Sequence, residues 1–284
     1  MRKNEGKKVM RENEGSLAVT DKSVDDDLTL VSLGIVAFVI AIVTHEGLGH
    51  GLATLAVGGK PVMLTTCYFS SGGSLSKWIP AAGGIANAIV GLLSVLVLRL
   101  LRTAKPHIRF FLVLVAAFNL LFAAGYPAYS GIAAFGDWAA VISGLSPAWL
   151  WRVLLVVFSV ITYYLSLRLL TVEMRPFCGS NAQETLTWLR RITLIPFLAA
   201  LAAASLAGAL NPAGWTVIFT SALPGAAAAF GLTQSDHFSG ASASDSSLPA
   251  GAITRSAGWI LAAGAILAIF VGMLGPGIKF GPSS

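Results

Sequence analysis

With 284 residues, 55% of them hydrophobic and only 11% charged, and a mean hydropathy of +0.76, the chain falls outside the ordinary soluble globular class and reads as an all-α polytopic transmembrane bundle. The formal charge of +6 comes from Lys and Arg in connections between apolar runs, where such residues orient a chain in the bilayer; no nucleic-acid partner is expected. Cys67 and Cys178 have no metal-ligand spacing and are read as free thiols.

Residues 1–27 are polar and hold seven of the thirteen acidic residues, so they are expected to form a flexible tail. The tail is too long and too acidic for a signal-peptide start, and the first span is expected to stay uncleaved.

That span begins at Leu28, and its apolar run leads into His45-Glu46-Gly47-Leu48-Gly49-His50. Ionisable groups inside an apolar span cost about 2.5 kcal/mol or more each, so two imidazoles and a carboxylate here point to function, with a metal ion as their obvious partner. Zinc proteases of the His-Glu-x-x-His type set their histidines four apart on one helix face, with Glu as general base. Here the separation is five, which on an ideal helix turns the second imidazole by about 140° instead of about 40°. A π-turn absorbs one extra residue, and Gly47 and Gly49 favour such a distortion, so a local π-helix is expected at the motif. Glu46 and Asp137 are the only carboxylates between Leu28 and Val172.

Residues 58–78 differ from the spans around them. Val62 to Phe69 is β-prone and bounded by Gly-Gly-Lys-Pro and Ser-Ser-Gly-Gly, which predicts a small strand or hairpin directly after the metal helix. An exposed strand edge can hold an extended peptide by adding it as a further strand.

Further apolar segments follow near 79–101, 109–135, 149–172, 192–210, 215–233 and 257–275, giving six to seven spans with the first. Pro196, Asn211-Pro212 and Pro224 interrupt the fifth and sixth of the seven, so these two are expected to form a hairpin or re-entrant pair. Positive residues cluster in the tail, around Arg99 to Arg109 and near Arg168 to Arg191, which predicts a cytoplasmic N-terminus and, for seven spans, an external C-terminus. Residues 235–256, rich in Ser, Gly and Ala, are expected to form a loop. His107, beside Lys105 and Arg109, is expected in a loop, and Asp236-His237 is a rival ligand pair that this topology puts on the opposite face.

The order of motifs over roughly residues 30–140 resembles the site-2 protease family of membrane-embedded zinc metallopeptidases. That family has a His-Glu-x-x-His helix, a Gly-rich β segment, a span opening Ala-Gly-Pro with a nearby Asn, and a later span with Asn and Pro ahead of an Asp that completes the zinc site. The corresponding residues are His45-Glu46 with Gly49-His50, Gly58-Gly59, Ala82-Gly83-Gly84 with Asn87, and Asn119 with Gly125-Tyr126-Pro127 ahead of Asp137. The departures are the five-residue histidine spacing, Gly84 in place of Pro, and the ten residues from Pro127 to Asp137. His-Glu-x-x-Gly-His also resembles the zinc motif of the soluble dipeptidyl peptidase III family, whose Glu-rich second motif has no counterpart here. Asn211-Pro212-Ala213-Gly214 resembles another site-2 protease element but has Ala213 in the ligand position.

The resemblance implies a catalytic Zn2+ held by His45, His50 and Asp137, with Glu46 as general base, acting on a membrane-anchored protein or peptide substrate. By the same resemblance Asn87 or Asn119 would bind substrate; interhelical hydrogen bonding is their other reading. The residues 28–140 would form the metalloprotease core and 141–284 additional spans. A non-catalytic metal-binding scaffold, a proton or metal transporter and a membrane hydrolase acting on lipids are the alternatives.

Overall fold

The computed structural model describes residues 25–177, 182–219, 223–237 and 252–281; residues 1–24 of the expected tail, Cys178 and most of the 235–256 loop lie outside them, while Asp25 to Asp27, expected in the tail, are ordered at the start of the first helix. Seven helices carry the architecture: α1 (Asp27–Ala56), α2 (Trp78–Leu100), α3 (Pro106–Ala133), the short α4 (Asp137–Ile142), α5 (Ala148–Phe177), α6 (Ala182–Ala209) and, after an interrupted stretch, α7 (Ala257–Leu274). All but α4 contain apolar stretches long enough to cross a membrane, the pattern of a multi-pass membrane protein. Helices suit such a setting because every backbone polar group is satisfied within its own segment.

α1 is the axis of the bundle. Its most apolar window is 72% inside, against 17% for α5 and 11% for α7. Leu30, Leu33 and Phe38 of α1 pack in one core with Phe110, Leu114 and Leu121 of α3 and Ile192 and Ala200 of α6. α5 turns Val153, Phe158, Ile161 and Leu165 outward, as a lipid-facing helix does. Asp26 caps α1, accepting from the Thr29 backbone N–H at 2.8 Å and its hydroxyl at 2.7 Å.

A small sheet closes one end. β1 (Lys60–Leu64) lies between β2 (Phe69–Gly72) and β3 (Ile278–Lys279), antiparallel to both. The β1–β2 hairpin sits where the sequence predicts it. The third strand arrives from beyond α7, whose Leu274 carbonyl accepts from Thr66 N–H at 3.1 Å.

Contacts at the opposite end fix the helix directions. Asp26 N–H donates to Ile253 O, Arg191 pairs with Asp27, and the His107 ring bonds Thr254 O at 2.6 Å, so α1, α3, α6 and α7 all start there. His107 is therefore in the first turn of α3 and not in a loop. Since α6 ends at the sheet end, with its Ala207 carbonyl beside Gly275, the chain must return before α7 begins.

The described pieces of that return are short. Residues Leu223–Ala227 form a brief α-helix and Ala228–His237 a 3-10 helix, with Gly225 beside Phe122 and Ala228 beside Gly125. Among the described residues the sixth apolar segment is thus not one long helix; α6 runs unbroken through Pro196, and the two short helices of the return pack back against it, as a hairpin of the fifth and sixth segments would. Asn211-Pro212, Gly214, Pro224, Gly225 and Gly231 break the stretch that follows. Irregular backbone inside a bundle needs partners, and the Tyr163 hydroxyl supplies them, donating to Ala228 O at 2.6 Å and accepting from Gly231 N–H at 3.2 Å.

Candidate metal centre

The motif helix does what five-residue spacing requires. Val43–Gly51 of α1 is π-helical, and i→i+5 bonding stacks His45 and His50 on one face, their ring centroids 4.8 Å apart. The two glycines inside the motif differ in purpose. A Cβ on Gly47 would meet nothing nearer than 3.8 Å, whereas one on Gly49 would lie 2.6 Å from the Cα of Gly83 in α2. Gly83 is equally constrained, since a Cβ there would stand 2.7 Å from both imidazole rings. Backbone against backbone at Gly49 and Gly83 lets α2 pass directly beneath the histidines.

Asp137 comes from a different direction. α3 ends with Ala134 in the left-handed region at φ 53°, and Gly136 follows at φ 87°, a conformation that favours glycine. Arg152 of α5 holds this end by donating to Gly131 O at 2.6 Å and Ile132 O at 2.7 Å. The reversal carries Asp137, at the start of α4, back over the histidines. Its Oδ2 lies 3.0 Å from His45 Nε2 and 3.2 Å from His50 Nε2.

The far sides of both rings are committed. His45 Nδ1 faces Asn87 Oδ1 at 2.7 Å, and the Asn87 amide donates to Ala41 O at 2.9 Å and Asn119 Oδ1 at 2.8 Å. Because both amide hydrogens are used, the oxygen must face the ring, so Nδ1 carries the hydrogen. His50 Nδ1 meets the Ile79 carbonyl at 2.7 Å, which can only accept. In the neutral rings both Nε2 atoms therefore present lone pairs to a carboxylate oxygen.

Three converging acceptors repel one another unless a cation sits among them. Tetrahedral bonds of about 2.0–2.1 Å set ligand atoms about 3.3–3.4 Å apart, close to the separations seen from Asp137. His45, His50 and Asp137 thus form a buried group able to hold a metal ion.

Glu46 stands beside this group without joining it. It is buried, its Oε2 is 4.0 Å from His50 Nε2, and that oxygen has no hydrogen-bond partner. A cavity of about 290 Å³ opens in front of it, lined also by His50, Cys67, Phe69, Tyr126 and Asp137. Asn87 and Asn119 do not line this cavity. Both are fully buried: the Asn87 amide bonds across to Ala41 of α1 and Asn119 of α3, and the Asn119 amide donates within α3 to Val115 O at 2.8 Å, the interhelical arrangement that is the other reading of these residues. Asp236 and His237 belong to the Ala228–His237 helix, and their side chains lie outside the described ones.

Tyr126, the Ile79 carbonyl and Gly83 are site features that residue-type reasoning passed over. Tyr126 and Gly83 both fall inside the tripeptides that carry the family resemblance, which was the available signal. Compared with protein-family models, curated proteins and solved structures, the chain gives no significant match.

Proposed function

We propose that the protein is a membrane-embedded zinc-dependent endopeptidase of the site-2 protease type, cleaving membrane-anchored protein substrates. One observation carries the reading: two imidazole lone pairs and a carboxylate oxygen converge on one point, and an unpartnered buried Glu46 oxygen faces the adjoining cavity. Three protein ligands with an open fourth position are the ligand count of catalytic zinc. Zinc held there would acidify a water and polarise the scissile carbonyl. Glu46 takes the water's proton and returns it to the leaving amine. Asp137 supplies the anionic ligand, and Asn87 keeps the His45 lone pair aimed at the metal.

The sheet supports the choice of substrate. In the order β2-β1-β3 the outer edge of β2 has no strand partner among the described residues, and Phe69 at its start stacks on the His50 ring at 6.3 Å. A substrate stretch added to that edge would run extended past Glu46, the conformation in which a peptide bond is accessible. The positive residues near Arg99 and Arg191 give this end of the bundle an external orientation and the N-terminus a cytoplasmic one.

The test compares wild type, Glu46→Gln and a His45→Ala, His50→Ala double variant for zinc content and for cleavage of membrane-anchored proteins in cells. Glu46→Gln should keep about one zinc per chain and lose cleavage; the double variant should lose both. Zinc retained in the double variant, or cleavage retained in Glu46→Gln, would overturn the proposal.

A further inference from the structure

We infer that Tyr126 is a catalytic residue of the proposed reaction, its hydroxyl donating a hydrogen bond to the carbonyl oxygen of the scissile peptide as negative charge develops there. The inference rests on the endopeptidase reading and adds a residue that neither the metal motif nor the family layout assigns.

Tyr126 lines the same cavity as Glu46, His50 and Asp137. Its ring packs between Phe122 and Tyr129, centroids 5.4 and 6.0 Å away, and lies 5.7 Å from the His45 ring. That packing holds the phenol in one orientation. Its oxygen accepts the Asp137 backbone N–H at 3.3 Å, which aligns the hydroxyl beside the third ligand. The proton is left over: no acceptor among the described residues takes it. Gly136 makes room for this arrangement, since a Cβ there would lie 2.6 Å from the Tyr126 oxygen.

A fixed donor with a free proton, at the wall of a cavity that also holds a carboxylate base, is the arrangement that stabilises an oxyanion. A phenol stays protonated at neutral pH and can donate throughout the cycle. As the water oxygen bonds to the carbonyl carbon, the carbonyl electron pair moves onto oxygen, where Tyr126 meets it. The water's proton passes to Glu46. When the electron pair returns and the C–N bond breaks, Glu46 gives that proton to the amine nitrogen, and Tyr126 keeps its own hydrogen throughout.

The test uses full-length, zinc-loaded protein in detergent and its Tyr126→Phe variant, which keeps the aromatic packing and removes only the hydroxyl. Three quantities are read: zinc content, kcat and KM on fluorescein-labelled casein, and the affinity of a tetrahedral phosphinic peptide against that of its parent peptide. Tyr126→Phe should keep its zinc and its KM, lose about 10²–10³ in kcat, and lose phosphinic-peptide affinity while parent-peptide affinity stays. Zinc lost from Tyr126→Phe would instead make the residue a positioning group for Asp137 and overturn the inference, as would unchanged kcat and phosphinic-peptide affinity. The endopeptidase reading fails separately: if wild type cleaves no casein yet binds the phosphinic peptide through Tyr126, the donor stands and the proposed reaction does not. A wild type that binds no phosphinic peptide overturns the inference itself.

Discussion

His45 Nδ1 and Asn87 Oδ1 face each other across 2.7 Å, and that one contact decides which ring nitrogen is available to a metal. With both Asn87 amide hydrogens already placed on Ala41 O and Asn119 Oδ1, the ring must donate from Nδ1 and offer its Nε2 lone pair towards Asp137. Asn87→Ala should therefore leave His45 free to choose the other tautomer and weaken metal binding about 10–100-fold, the usual effect of losing a ligand's supporting partner. Competition with a chromophoric chelator measures this. Unchanged affinity would mean that the contact does not hold the tautomer.

Gly83 gives a sharper test, because a methyl group there would stand 2.7 Å from both imidazoles. Gly83→Ala should displace the rings, with an overpacking cost of about 1–3 kcal/mol in stability, and abolish stoichiometric metal binding. Gly47→Ala is the matched control, since its Cβ would meet only Val43 Cγ1 at 3.8 Å. Metal content by elemental analysis should fall in the first variant and stay in the second. Equal metal content in both would show that α2 yields easily beneath the site.

The difference between those two glycines could not be read from the sequence. The five-residue histidine spacing was legible as a π-turn because helical periodicity allows few other ways to align the rings. What each glycine faces depends on how closely α2 approaches, and that is a property of packing between segments. The role of Asn87 was hidden for the same reason: its partners are 46, 42 and 32 residues away. The β1–β2 hairpin announces itself by composition, whereas β3 is two residues long and gains its conformation only by pairing with β1. Apolar length gave the spans, but whether 215–233 is a continuous helix depended on proline and glycine density together with the partners that Tyr163 offers its backbone.

That last contact makes its own prediction. Tyr163→Phe removes the donor to Ala228 O and the acceptor for Gly231 N–H, leaving two backbone groups inside the bundle without these partners. A buried group left unsatisfied costs about 1–3 kcal/mol, so the variant should unfold at lower denaturant in detergent, with the same metal content as wild type because the His45, His50 and Asp137 group does not include Tyr163. A stability equal to wild type would mean that water or a neighbouring group replaces the hydroxyl.

Cys67 tests the cavity by chemistry. Burial raises its thiol, a hydrogen bond with Thr66 offsets part of this, and the Glu46 charge adds to the rise, bringing it to about 11 from an ordinary 9.0. Only the thiolate is a good nucleophile, so at pH 7 the reactive fraction is about 100-fold smaller than for an unshifted thiol. Iodoacetamide should modify Cys67 correspondingly slowly in a Cys178→Ser background, with a rate rising about tenfold per pH unit until the pH approaches 11. Because Cys67 shares the cavity with Glu46, Glu46→Gln should lower the thiol's pKa and speed alkylation at neutral pH. Peptide mass spectrometry across a pH series reads both effects. Reaction at pH 7 as fast as that of an unfolded control would show that water and reagent reach the thiol freely and that burial does not raise it.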